Sequence, residues 1–255
     1  MTGRFDGRVA LVTGGGKGIG GAITLALAAD GADVAINYRR DEEAAKETVG
    51  AIEGLGRRGA AYQASIDSVD EDQAMVDGAL STFGHVDILV NNAGIASRGN
   101  TVADTDPAEV ARVVGTHALG AHHMCRMLLP QMRKHERGDI VMISSVATRE
   151  FAGGGAPYNM AKAALEALAM TLAKEEKSHG IRVNVVAPGL VDTEMGRRLV
   201  KGAMGVQDIR TLDKGMPFGH VCTPDDVADV VRFLVSDAGD YVTGQRIYVD
   251  GGAGF

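Results

Sequence analysis

The chain has 255 residues, of which 45% are hydrophobic and 23% are charged, and this length and composition fit one large α/β domain over residues 1–255. Its 33 acidic and 26 basic residues give a net charge of -7, which argues against a nucleic-acid partner held through phosphate contacts. The only cysteines, Cys125 and Cys222, lie far apart in the sequence and suggest neither a disulfide framework nor a metal site. The N-terminus lacks the layout of a signal peptide and no apolar run reaches bilayer length, so we expect a cytoplasmic protein without a membrane partner.

The first elements are predicted to be a strand, a glycine-rich turn and a helix. Residues 8–13 form a short apolar run, and helical spacing follows the turn until Gly31. Glycines in such a turn allow the backbone to approach a pyrophosphate at the positive end of the helix. The pattern predicts a dinucleotide site, although a tight crossover without a ligand would also use glycines. The predicted contacts are Gly14, Lys17, Gly18, Ile19 and Gly20.

The second predicted strand, residues 33–38, ends where a dinucleotide fold contacts the adenosine ribose. A carboxylate at that place would accept the ribose 2′-OH and repel a 2′-phosphate. The chain instead has Arg39 and Arg40 after Tyr38, and Arg39 can pair with a phosphate, assisted by Lys17. We therefore predict NADP(H) in preference to NAD(H). The alternative is that both arginines are solvated surface charges.

Strands and helices continue to alternate along the rest of the chain, which predicts an open α/β fold. Further strands are expected at residues 59–65, 86–91, 139–144, 182–187 and 246–249, and helices at 42–55, 70–83, 107–135, 157–179 and 224–236. Residues 190–216 carry glycines and methionines without a clear period. We interpret them as a partly helical lid over the substrate, with an irregular surface excursion as the alternative.

The residues with the most reactive side chains follow the fifth strand. Ser145 lies at its carboxyl end, where open α/β sheets bind ligands. Tyr158 and Lys162 are four residues apart in a helical run, so they share a face, and a neighbouring ammonium is expected to lower the pKa of a phenol. His117 falls on the inward face of the helix predicted at 107–135. A single histidine there is more often a hydrogen-bonded core residue than a catalyst.

Several segments together resemble the motifs of the short-chain dehydrogenase/reductase family, over essentially the whole chain and with a pattern nearest to 3-oxoacyl-[acyl-carrier-protein] reductases. They are TGGGKGIG at 13–20, NNAG at 91–94, Ser145, YNMAK at 158–162 and PG at 188–189. The resemblance implies a doubly wound, Rossmann-like sheet of seven parallel strands in the order 3-2-1-4-5-6-7. It also implies a homotetramer or homodimer packed through the two long helices.

The same resemblance implies a mechanism and further cofactor contacts. Ser145 would bond the carbonyl oxygen of a ketone, with a 3-oxoacyl thioester linked to a carrier or to CoA as one candidate. Tyr158 would donate the proton, and Lys162 would hold the nicotinamide ribose and favour the phenolate. No metal is implied. Besides Tyr158 and Lys162, the implied cofactor contacts are Ser65, Ile66, Asn92, Ala93, Gly94, Pro188, Gly189, Val191 and Thr193.

Two positions depart from the family pattern. His117 stands where the family usually has an asparagine that supports a proton relay to the lysine, and it would either relay a proton itself or block the relay. Ser65 stands where many members have an aspartate that holds the adenine amino group. A working NADP(H)-dependent reductase is the first hypothesis. A catalytically weak NADP(H)-binding sensor or assembly protein is the alternative.

Overall fold

The computed structural model describes residues 4–253, in which a seven-stranded parallel sheet lies between layers of helices. Neighbouring strands follow the order β3-β2-β1-β4-β5-β6-β7, which confirms the predicted topology. The strands are β1 (Val9–Val12), β2 (Asp33–Tyr38), β3 (Gly59–Gln63), β4 (Ile88–Asn91), β5 (Gly138–Ile143), β6 (Ile181–Pro188) and β7 (Arg246–Val249).

Helices connect successive strands and cover both faces of the sheet. They are α1 (Gly18–Ala29), α2 (Glu42–Gly54), α3 (Val69–Phe83), α4 (Pro107–Val114), α5 (Gly120–Met132), α6 (Ala147–Glu150), α7 (Ala156–Glu176), α8 (Glu194–Met204) and α9 (Pro224–Val235). None of the helices within residues 4–253 is both long and apolar enough to cross a membrane.

Each face of the sheet carries its own hydrophobic core. Leu89 and Met142 belong to the cluster packed against α3, α5 and α7, whereas Val90 and Val141, their neighbours in sequence, belong to the cluster packed against α1 and α9. Every residue of β1, β4, β5 and β6 is buried because a parallel sheet with helices on both sides leaves neither face to water. Reactive side chains can therefore reach solvent only beyond the ends of these strands.

The single helix predicted at 107–135 is divided in the structure. A π-helical turn, Gly115–Leu119, separates α4 from α5, and α5 ends at Met132. One extra residue per turn widens the helix locally and turns its side chains relative to a regular helix. This turn carries His117, so the irregularity lies where the sequence departs from the family pattern.

The segment predicted as a lid is partly helical. It contains α8 and a 3₁₀ helix at Ile209–Gly215. Val200 of α8, Ile209 and Val221 form a small hydrophobic cluster separate from the two main cores. Thr193 begins α8 by accepting a hydrogen bond from Gly196 N at 3.1 Å. The segment is therefore an independently packed layer beside the carboxyl edge of the sheet.

Candidate active site

The glycine-rich turn after β1 packs directly against the end of β4. Asn92 Nδ2 donates to Thr13 O at 2.9 Å and to Gly14 O at 3.3 Å. A Cβ on Gly20 would lie 2.2 Å from Gly14 O and 2.5 Å from Asn92 Nδ2, so no side chain fits there. The turn thus has a compact backbone that opens α1, the arrangement that suits a pyrophosphate at a helix N-terminus.

The first residues of the lid follow β6 and border the same turn. Val146 N donates to Pro188 O at 3.0 Å, and Gly189 N donates to Val249 O at 3.0 Å. Val191 is buried, and Thr193 Cγ2 lies 3.5 Å from where a Cβ of Gly18 would be. The structure therefore places Thr193 beside the glycine-rich turn, and Pro188 and Gly189 beside the ends of β5 and β7.

Lys17 is paired in a way that the sequence did not predict. Its Nζ donates to Asp41 Oδ2 at 2.7 Å and to Glu194 Oε2 at 3.3 Å, and the bond to Asp41 is the main cause of its raised pKa. Arg39 is exposed, and Tyr38 is half-buried before it. The adenosine end of the site thus combines an exposed arginine with a lysine shared between two carboxylates.

The position after β3 has a carboxylate nearby, although not at residue 65. Ser65 Oγ donates to Asp67 Oδ1 at 2.6 Å, and Ser65 N donates to Glu71 Oε2 at 2.8 Å. Ile66 is buried and leaves no room for a side chain on Gly120, whose Cβ would lie 2.1 Å from Ile66 Cγ2. Ser65 and Ile66 are thus held firmly at the sheet edge, with Asp67 as an acceptor that sequence reasoning missed.

Ser145, Tyr158 and Lys162 meet at the carboxyl end of β5. The Ser145 hydroxyl lies close enough to Tyr158 to lower the pKa of the phenol, and Lys162 Nζ lies 5.6 Å from the centroid of the Tyr158 ring. Lys162 is 3% exposed and donates to Ile143 O at 2.6 Å. The three predicted catalytic groups are therefore adjacent.

The pKa values of Tyr158 and Lys162 differ from those expected from the sequence. Burial raises the pKa of the Tyr158 phenol, and only partial compensation comes from the Ser145 hydrogen bond. Burial also lowers the pKa of Lys162 to about 7, against the opposing charge of Glu166. The prediction that Lys162 lowers the phenol pKa is not met in this structure, because desolvation of the phenol outweighs any attraction to a lysine that is itself only partly charged near neutral pH.

His117 is 3% exposed and faces the same group. Its Nε2 lies 3.1 Å from Ile95 N and 2.8 Å from Ile95 O, while its Nδ1 has no hydrogen-bond partner among residues 4–253. Burial, with a contribution from the charge of Lys162, lowers the pKa of His117 to about 3. The imidazole is therefore neutral at physiological pH, which argues against a proton relay through its cationic form.

One further residue of the site was missed from the sequence. Glu166 is 7% exposed and accepts hydrogen bonds from Ser144 Oγ at 2.6 Å and Thr148 Oγ1 at 2.7 Å. Its position four residues after Lys162 places it on the same face of α7. That continued spacing, from Tyr158 to Lys162 to Glu166, is the signal that could have identified it.

The parallel sheet, the glycine-rich turn and the serine, tyrosine and lysine at the carboxyl edge define a dinucleotide-dependent oxidoreductase with a Rossmann-type fold. Residues 14–254 match the family model described as enoyl-(acyl carrier protein) reductase. The chain is 37% identical to the 3-oxoacyl-[acyl-carrier-protein] reductase FabG of Staphylococcus aureus, over 95% of this chain and 96% of that protein. It is also 37% identical to versicolorin reductase of Emericella nidulans, over 98% and 97%.

Solved structures agree with these relatives. A short chain dehydrogenase from Burkholderia cenocepacia in complex with NADP matches with a TM-score of 0.88 and 37% identity, over 97% of this chain and 98% of that chain. A blue fluorescent protein from a metagenomic library in complex with NADPH matches with a TM-score of 0.90 and 32% identity, over 99% and 100%. The protein belongs to the short-chain dehydrogenase/reductase family.

Proposed function

We propose that the protein is an NADP(H)-dependent oxidoreductase that interconverts a ketone and a secondary alcohol. The observation that carries this proposal is the contact of Ser145 with Tyr158, one helical turn before Lys162, beside the glycine-rich turn. A hydroxyl donor and a phenol that converge on one point can polarise a carbonyl oxygen and deliver a proton to it.

The residues present fit a nicotinamide dinucleotide. Glycine at position 20, where a Cβ would meet Gly14 O and Asn92, lets the turn close tightly over the start of α1, where a pyrophosphate can bind. Arg39 is exposed at the adenosine end and carries the charge that favours a 2′-phosphate. When bound, the cofactor supplies or accepts the hydride. The relatives from Burkholderia cenocepacia and the metagenomic library, with NADP and NADPH, support the same choice.

The roles of the chain's own groups follow from their protonation. Because its pKa is raised, Tyr158 keeps its proton at neutral pH and can donate it in the reductive direction. Ser145 holds the carbonyl oxygen beside that phenol. Lys162 titrates near neutrality and can return a proton to Tyr158 after turnover. His117, being neutral and bonded to Ile95, forms a wall of the site and positions the loop after β4.

The first substrate class to test is the 3-oxoacyl thioester, linked to a carrier protein or to CoA, because relatives named as 3-oxoacyl-[acyl-carrier-protein] reductases match over nearly their whole length. Versicolorin reductase is equally similar in identity, so versicolorin belongs in the same panel. The lid at residues 190–216 is the segment that would select among them.

We further propose one domain and a cytoplasmic homotetramer or homodimer. Large apolar side chains remain exposed on the helices expected to pack between subunits, including Leu119 and Met160. Exposed apolar groups on a helix face favour a protein interface. Sedimentation of the purified chain measures the subunit number.

The experiment that tests the function is oxidation of NADPH by the protein with a panel of ketones and 3-oxoacyl thioesters, in wild type and Tyr158→Phe. The variant should lose about 10²- to 10⁴-fold in kcat, as expected when a general acid is removed, while still binding NADPH. The change in NADPH fluorescence on addition of the protein measures that binding. Near-normal turnover by Tyr158→Phe would contradict the proposed proton donor.

His117 is the reason to test a second function, that of a cofactor-binding protein with little catalytic activity. Its ring closes the space behind Tyr158 and cannot carry a proton as a cation near pH 7. NADPH binding without turnover in both wild type and His117→Asn would favour this second function. Turnover gained only in His117→Asn would show an impaired reductase instead.

A further inference from the structure

Glu166 is a buried carboxylate at the centre of contacts from three elements. Ser144 Oγ donates to its Oε1 at 2.6 Å, Thr148 Oγ1 donates to the same oxygen at 2.7 Å, and Arg246 Nη1 donates to Oε2 at 2.5 Å. Both carboxylate oxygens are thus used, and the donors come from the end of β5, from α6 and from β7. A buried carboxylate with hydrogen bonds to both oxygens is held in one orientation.

Two of those contacts lie on either side of Ser145. Ser144 precedes it, and Thr148 Oγ1 also lies 3.0 Å from Ser145 O. The chain leaves β5 at Ile143 and enters α6 at Ala147, so the residues between them form the turn that presents the Ser145 hydroxyl. Glu166 fixes both ends of that turn to α7, the helix that carries Tyr158.

The same carboxylate acts on Lys162, which lies one helical turn before it. The groups around Lys162 are the Ile143 carbonyl on β5, the neutral ring of His117 on the π-helical turn, and Tyr158 and Glu166 on α7. Among these groups Glu166 alone carries a negative charge. Even with this charge, burial leaves the pKa of Lys162 at about 7, so losing it would leave the lysine largely neutral at physiological pH.

We propose that Glu166 is a positioning residue of the active site, whose carboxylate places a negative charge one helical turn from Lys162 and anchors the turn that presents Ser145. The proposal rests on the proposed oxidoreductase function of the same site. Glu166 touches neither the substrate nor the cofactor in this role, because its oxygens are occupied by Ser144, Thr148 and Arg246. It acts through its two neighbours, one by charge and one by geometry.

The charge role can be tested without a substrate. In protein labelled with ¹³C at the lysine ε-carbon, the Lys162 signal is assigned by its loss in Lys162→Arg and followed against pH. Glu166→Gln keeps the shape and the acceptor oxygen but removes the charge, so the Lys162 pKa should fall by about one unit or more. Glu175→Gln changes an exposed carboxylate on the same helix and should leave the Lys162 titration unmoved.

A second variant guards against an effect of misfolding. Glu166→Gln leaves Arg246 without its carboxylate, so the double variant Glu166→Gln/Arg246→Met removes both charges together. Its Lys162 pKa should also lie below that of the wild type. An unchanged Lys162 titration in both variants would overturn the charge role.

The geometric role is tested by the hydroxyls. Ser144→Ala and Thr148→Val keep the carboxylate charge but remove the bonds that hold the turn, so kcat should fall about tenfold with no shift of its pH profile. Glu166→Gln should instead move the alkaline limb of kcat for carbonyl reduction to lower pH, and Glu166→Asp should restore that limb. If Glu166→Gln instead lowers kcat equally at all pH values, with no shift of the alkaline limb, the role of Glu166 is purely structural and the proposal is overturned.

Failure of the proposed function would be seen separately. If no carbonyl compound supports NADPH oxidation, the kinetic tests are lost with the function, but the Lys162 titration in the unliganded protein still supports or overturns the effect of Glu166.

Discussion

The imidazole ring of His117 stands edge-on to the phenol ring of Tyr158, with centroids 5.3 Å apart and planes at 86°. Edge-to-face aromatic pairs of this geometry are attractive and resist displacement. The ring also occupies the space beside Gly94, where a Cβ would lie 2.4 Å from His117 Cε1. His117 therefore fixes the position of Tyr158 and the loop after β4 at once.

A methyl group at residue 94 should displace both Tyr158 and the loop after β4. We expect Gly94→Ala to lower the free energy of unfolding by about 1–3 kcal/mol, the usual range for overpacking, and to reduce kcat by moving the histidine ring. In a His117→Asn background the same substitution should cost less, because the shorter side chain leaves the space open. Thermal unfolding of the four proteins measures this coupling.

A matched glycine provides the control. Gly50 lies within α2 and a Cβ there meets nothing within 4 Å, so Gly50→Ala should stabilise the protein by about 0.5–1 kcal/mol. If Gly94→Ala lowers the free energy of unfolding equally with and without His117, the histidine ring is not what excludes a side chain at residue 94.

The choice of cofactor is expected to depend on Arg39. Replacing it by serine removes the charge available to a 2′-phosphate, and kcat/KM for NADPH should fall at least about tenfold, since hydrogen bonds to charged groups contribute about 1.5–3 kcal/mol. The value for NADH should change little. Lys134→Ser, which alters an exposed charge after α5 at the opposite edge of the sheet, should affect neither cofactor. A wild-type preference for NADH would contradict the role of Arg39.

The carboxylate of Glu194 is expected to weaken NADPH binding. It holds Lys17 together with Asp41 and competes with a phosphate for the same ammonium. Glu194→Gln should therefore lower the KM for NADPH by about two- to fivefold, a modest change because the pair is exposed and screened by salt. Added salt should reduce the difference between variant and wild type. Glu47→Gln, an exposed carboxylate on α2, is the control and should leave KM unchanged.

A buried carboxyl on α3 should make stability depend on pH. Burial raises the pKa of Asp72 to about 8, and its Oδ2 lies 3.1 Å from His123 Nδ1. A carboxyl with a raised folded-state pKa stabilises the protein while protonated, and this stability is lost as pH rises from the unfolded-state value of 3.8 to about 8. Each unit of that interval costs about 1.4 kcal/mol if Asp72 acts alone.

Asp72→Asn copies the shape of the protonated carboxyl and should remove this loss. We expect the variant to be more stable than wild type at pH 8, with the advantage shrinking toward pH 4. His117 opposes part of this pH dependence. Because its pKa is lowered to about 3 in the folded protein, it reduces the free energy of unfolding as the pH falls below 6.5, the pKa of an ordinary histidine. Denaturant unfolding across this range, with Asp77→Asn as an exposed control on the same helix, measures the difference. An identical pH dependence in Asp72→Asn and wild type would refute it.

The sequence predicted the sheet and the location of the site because those depend on local patterns. Apolar runs define the elements, and the alternation of strands and helices leaves Ser145 at a strand end. In the structure, Asp41 and Thr223 cap the helices that follow them. The pairing of Lys17 with Glu194 joins residues far apart in the chain, and no local pattern encodes it. The same holds for the π-helical turn at His117, whose ring bonds the distant backbone of Ile95, and for the balance of burial and charge that sets the pKa of Lys162.

The hydrogen bond from Lys162 to the Ile143 carbonyl makes this lysine part of the backbone framework as well as of the reaction. Lys162→Met would leave a buried carbonyl unpaired, at a cost of about 1–3 kcal/mol, and would loosen the end of β5 that leads to Ser145. A loss of activity in that variant would then have two causes, the missing ammonium and the loosened end of β5. For an inactive but well-folded reference protein, Tyr158→Phe is the cleaner choice, and engineering of the site should retain the ammonium even where its acid–base chemistry is not wanted.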